Sequence, residues 1–65
     1  MIYKAAYLYQ SGAIECDDCI YATSDADAAS MATARAKVRG AGNFGLHAVT
    51  GTADDGSDLI RPVEV

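Results

Sequence analysis

The feature that most constrains this sequence is Ser24-Asp25-Ala26-Asp27, set immediately before an alanine-rich run. It has the form of a capping box, in which the Ser24 hydroxyl accepts the amide of Asp27 while the Asp27 carboxylate reaches back to the Ser24 amide. A helix therefore starts here. Asp25 and Asp27 stand in its first turn and Arg35, Lys37 and Arg39 near its end, matching both poles of the helix dipole. Gly40 and Gly42 supply the stop. At 100° per residue, Ala28, Ala29, Ala32 and Ala36 form one apolar strip with Met31 and Val38 beside it. A face of methyl groups approaches a sheet closely, so Met31, Val38 and the strand side chains are expected to fill most of the core.

The remaining segments read as strands. Ile2 to Tyr9 places Tyr3, Tyr7 and Tyr9 on one parity and Ile2, Ala6 and Leu8 on the other, giving two largely apolar faces. Ser11-Gly12 is a hairpin turn. From Ala13 to Thr23, Ile14, Cys16, Ile20 and Ala22 share a phase, but Asp18 falls in it too and would be driven inward. A bulge at Asp17-Asp18 in one strand resolves the conflict, the alternative being a tight turn between two short strands. Phe44 to Val49 alternates as a third strand with Phe44, Leu46 and Ala48 facing in, and Asp54-Asp55-Gly56-Ser57 is turn chemistry. Leu59 to Val65 makes a fourth strand, which Pro62 assigns to an edge or delays until after the proline. The expected fold class is α+β: a single domain over residues 1–65, a small ββαββ sandwich with one helix on an antiparallel sheet of about four strands. Strand order is not readable.

Length and charge then limit the function. A chain of 65 residues builds one small core and no two-lobed cleft, and its thin stability margin favours partner binding or self-association. Nine acids against five bases give a net charge of −4, which opposes direct contact with nucleic acid or an anionic membrane. Lys4, Gln10 and Ser11 interrupt any secretory leader, and no stretch approaches a membrane span, so the expected location is the cytoplasm.

No motif carries an enzyme's chemistry, and no cofactor is expected. Cys16-Asp17-Asp18-Cys19 has CxxC spacing, but two carboxylates between the sulfurs oppose thiolate formation, whereas a redox pair needs positive surroundings. A zinc site would have to use Cys16, Cys19 and His47 and lacks a fourth ligand; the plainer reading is two ordinary thiols in a strand. His47 by itself has neither a nucleophile nor a second proton carrier. Asp54 to Asp58 lacks the ligand spacing of a calcium loop, and Gly40-Ala41-Gly42 follows a helix where a phosphate cradle would open one.

The tyrosines and acids remain. One helix covers one face of a sheet, so part of the set Tyr3, Tyr7, Tyr9 and Tyr21 should be exposed. Residues 11–34 hold Glu15, Asp17, Asp18, Asp25 and Asp27 with no base. Glu15 and Asp17, two apart in a strand, would project from one face about 6.6 Å apart, close to the interval of neighbouring phosphates. An acidic surface with aromatic anchors suits a basic nucleic-acid-binding protein, with Glu15, Asp17, Asp18, Asp25 and Asp27 steering and Tyr3, Tyr7 and Tyr21 as anchors. The bland alternative is that the acids keep a small domain soluble.

In size, acidity and lack of enzyme motifs, the whole chain resembles the small inhibitors that bacteriophages encode against host defence, anti-CRISPR proteins especially. That resemblance implies a non-enzymatic inhibitor, monomer or homodimer, that binds a CRISPR effector complex and blocks target DNA or PAM recognition with phosphate-like charge. The competing expectations are a structural or self-associating domain and a metal-binding CxxC protein.

Overall fold

Strand β1 (Ile2–Leu8) occupies an inner position because its two apolar parities can each be covered or paired. In the computed structural model, which describes residues 1–64, β1 pairs antiparallel with β2 (Ile14–Tyr21) on one side and β3 (Asn43–Thr52) on the other. Strand β4 (Asp58–Pro62) completes an antiparallel sheet of order β2-β1-β3-β4. Strands β2 and β3 therefore run parallel on either side of β1, and helix α1 (Asp25–Arg39) crosses over it to connect them. The ββαββ sequence reading holds, and Pro62 lies on an edge strand as its missing N–H requires.

The local signals act as the sequence implies, with one change at the helix start. The Asp27 amide donates to Ser24 Oγ at 3.1 Å, but the Asp27 carboxylate takes the Thr23 hydroxyl in place of the Ser24 amide. At the other end Gly40 adopts φ 73°, and the Gly40 and Ala41 amides close back onto the last helical turn, satisfying carbonyls that would otherwise lack donors. Gly12 at φ 91° turns the first hairpin, and the Asp55 carboxylate accepts the Ser57 amide and hydroxyl in the turn before β4.

The core is Tyr3, Ala5, Tyr7, Ile20, Leu46 and Ala48 from the sheet against Ala28, Ala32 and Ala36 from the helix, with Val63 beyond β4. The volume comes from the sheet: Tyr3 and Tyr7 are fully buried rings over which an alanine face can lie close. Met31 is half-buried, but Val38 is 88% exposed and fills nothing. It lies about 120° around the helix from the centre of the Ala28–Ala32–Ala36 strip, too far round to reach the sheet.

The bulge is where the sequence conflict is resolved, in a way the alternation alone does not give. Ala5 pairs Asp18 and Tyr7 pairs Glu15, so Cys16 and Asp17 together oppose Ala6, and Asp17 takes φ 66°. Asp18 stays in phase with Ile20 on the helix side. The bulge instead turns Ile14, paired with Leu8, out to the uncovered face.

Candidate functional site

Three tyrosines of one parity end in three carboxylates, and each carboxylate also meets an arginine. The Tyr3 hydroxyl donates to Asp25 at 2.8 Å while both Arg61 Nη atoms donate to the same carboxylate at 3.0 and 3.1 Å. The Tyr7 hydroxyl donates to Asp18 at 2.5 Å, Arg35 Nη1 reaches that oxygen at 3.0 Å, and Arg39 approaches its other oxygen. The Tyr9 hydroxyl and Arg39 Nε both donate to Glu15 Oε1, at 2.7 and 3.0 Å. The Arg39 guanidinium also stands 4.6 Å from the centroid of the Tyr7 ring, a cation–π contact that places it over the core's edge.

These networks set the ionisation of their members. Burial, then the bond to Asp18, pushes the Tyr7 phenol up to about 12. Burial works against the Asp18 charge, yet the Tyr7 hydroxyl and Arg35 outweigh it and hold the carboxyl below its ordinary value. Glu15 is lowered by the Tyr9 hydroxyl and Arg39, and Asp25 by Arg61 and the Tyr3 hydroxyl. The chemistry is that of a clamp: strand β2 and strand β4 are tied to the two ends of α1.

That arrangement corrects several expectations for a partner surface. Tyr3 and Tyr7 have no exposed surface and cannot serve as anchors, because the helix covers their parity of β1. Glu15, Asp18 and Asp25 are engaged by arginines of the same chain. Glu15 and Asp17 do not share a face: the bulge leaves Glu15 on the helix side with Arg39, while Asp17 lies with Cys16, Lys4, Ala6, His47 and Ile60 around a shallow depression of about 220 Å³ on the other side. Phosphate-like spacing is lost. Asp17, Asp27 and Tyr21 remain exposed as expected, Tyr21 at 71%. Arg35 and Arg39, read from the sequence only as the basic end of the helix dipole, are the clamp residues it missed; their place seven positions after Ala28 and Ala32, on the same helix face, was the signal that they turn toward the sheet.

What faces outward is thus sorted. Lys4 pairs with Asp58 at 2.9 Å, so among the described residues four of the five bases are in ion pairs and Lys37 is not. Asp17, Asp27, Asp54, Asp55 and Glu64 are the carboxylates outside these pairs. The register and the Asp25–Tyr3 contact put Asp27, Asp54 and Asp55 toward the Ile2–Thr52 end of the sheet, while Lys37 lies toward the Leu8–Asn43 end. Three of the five unpaired carboxylates thus gather at one end of the molecule, away from the β2 segment where the sequence concentrates them, while Asp17 stays on β2 beside Ala6 and Glu64 follows Val63, whose amide bonds to Leu46.

The second outward feature is the sheet face opposite α1. Ile2 and Tyr21 pair across β1 and β2, as do Leu8 and Ile14, while Val49 pairs Ile60 across β3 and β4. All but half-buried Val49 are exposed. Cys16 and Cys19 are free thiols, both exposed. Among the described residues no three histidine, cysteine or acidic side chains come together as metal ligands, so Cys16, Cys19 and His47 do not form the zinc set considered from sequence. Among the described residues no helix is long and apolar enough to cross a membrane. Comparison with protein-family models, with curated proteins and with solved structures finds no match to this chain.

Proposed function

We propose that this protein is a non-enzymatic binding module that engages a basic nucleic-acid-binding protein through its acidic end. The observation that carries the reading is the internal pairing of Lys4, Arg35, Arg39 and Arg61, which leaves the surplus carboxylates facing outward against Lys37 alone. Carboxylates that no cation of the fold neutralises keep their charge to steer a basic partner, even where a neighbouring hydroxyl or amide donates to them, as at Asp27 and Asp55. In this reading Asp27, Asp54 and Asp55 form the contact and Asp17 extends it along the β2 edge. Glu15, Asp18 and Asp25 hold the helix in place behind it.

The resemblance to phage-encoded inhibitors narrows the partner to a CRISPR effector complex whose DNA channel is lined by basic side chains. Occupying that channel would exclude target DNA without any catalytic step. The test is competition: an effector complex is mixed with labelled target DNA and increasing amounts of the protein, at low and at high salt. DNA should be displaced stoichiometrically, displacement should weaken as salt screens the carboxylates, and D27K with D54K should weaken it further. Displacement indifferent to salt and to both substitutions would reject the acidic contact. Undisturbed DNA binding at saturating protein would reject effector complexes as the partner.

A further inference from the structure

We infer that the uncovered face of the sheet is the contact between two copies of this chain. The face is apolar over its width: Ile2, Leu8, Ile14, Tyr21 and Ile60 expose 43, 41, 61, 71 and 54% of their surface, and Val49 lies among them half-buried. A sheet with a helix on only one side has an uncovered second face, and here Tyr21, Ile2, Val49 and Ile60 on one side and Leu8 with Ile14 on the other flank a row of Cys19, Lys4 and His47. Its one basic residue in the central row, Lys4, is already neutralised by Asp58 at 2.9 Å. Closing the face against an apolar surface would therefore bury no unpaired lysine.

Size and charge select a second copy as the occupant. The molecule measures 36 × 24 × 16 Å with an accessible surface of 4256 Å². A broad face of such a slab offers roughly a quarter of that area, on the order of 1000 Å², against about 800 Å² per partner in a stable interface. A cationic partner finds little complement here, since Asp27, Asp54 and Asp55 lie at the Ile2–Thr52 end, Asp58 is taken by Lys4, and Asp17 is the unpaired carboxylate lining the depression on this face. An anionic membrane or nucleic acid is repelled by the net charge of −4. The same patch on a second molecule meets the first around a two-fold axis, with apolar rows opposed and the two sheets packed about 10 Å apart as in a sandwich.

The contact is independent of the acidic end, so the two proposals fail separately. Sedimentation equilibrium of the full chain in reducing buffer, from about 10 μM to about 1 mM, should show a mass rising from 6.8 kDa toward twice that value and no further. Added salt should leave association unchanged or strengthen it by screening the repulsion between two acidic molecules. I60K should weaken association about tenfold or more with an unchanged circular dichroism spectrum, while V38K on the exposed helix surface should not. A readout that needs no variant is alkylation of Cys19, which lies on this face opposite Lys4 and should slow several-fold as the protein is concentrated. A single 6.8 kDa species throughout, open-ended growth, an unaffected I60K, or alkylation independent of concentration would each overturn the inference.

Discussion

Tyr7 shows how one side chain can close a core and hold an ion pair at once: its ring is buried, its hydroxyl holds Asp18, and Arg39 lies over its face. Y7F keeps the ring and removes the bond, so it should cost roughly 1–2 kcal/mol in urea unfolding, with Asp18 still held by Arg35. The phenol titrates near 10.0 when unfolded and at about 12 when folded. Its contribution is therefore complete below pH 10 and is lost as pH rises through 12. Stability measured across that range should fall in the native protein and fall less in Y7F. In acid the sign reverses: Asp18, Glu15 and Asp25 are held below their ordinary values, so what they contribute is present above those values and is lost as pH falls through the lower folded ones. Unfolding midpoints should accordingly decline below about pH 4. The acids were legible in the sequence, but their employment was not, because Asp18 and Arg35 are brought together only by the crossover of α1 above β1.

Among the elements, α1 is the most sequence-determined and β2 the least. Ser24, the alanine strip and Gly40 specify the helix locally, and S24A should remove about 1 kcal/mol by leaving the Asp27 amide without its acceptor. The buried strip has no space to spare, so A32L should destabilise by roughly 1–3 kcal/mol through overpacking, measured by thermal unfolding. Strand β2 was readable as either one bulged strand or two short ones, since alternation cannot say which side of Asp17 keeps the core phase. The pairing with β1 decides it, and Asp17 accepts φ 66° as the consequence. D17G should therefore stabilise by roughly 0.5–1 kcal/mol, whereas a β-branched residue such as valine should do the reverse.

For the whole molecule, α1 packs on β1, β2 and β3 but not on β4, whose hold on the rest is the β3 ladder, the Val63 amide bonded to Leu46 and the Arg61–Asp25 and Lys4–Asp58 pairs. Hydrogen exchange should find β4 and the first helical turn the least protected elements, and R61A should speed exchange there while leaving β1 unaffected. The strand count, the helix, the turns and the edge position of Pro62 followed from local chemistry. The order β2-β1-β3-β4 did not, because it depends on which strand the helix steps over; an uncovered face was expected, but not which parity of β1 lies on it, since Ile2 and Leu8 look as much like core residues as Tyr3 and Tyr7 until the topology puts them outside. The two outermost strands carry a last consequence. A flat strand at the rim of a sheet is a template on which further chains can stack, and here one rim is interrupted by the carboxylate-bearing kink at Asp17 and the other is short and ends in Pro62. The kink that reconciles a register conflict thus also denies the next chain a straight ladder, so concentrated solutions of this protein should stay free of fibrils.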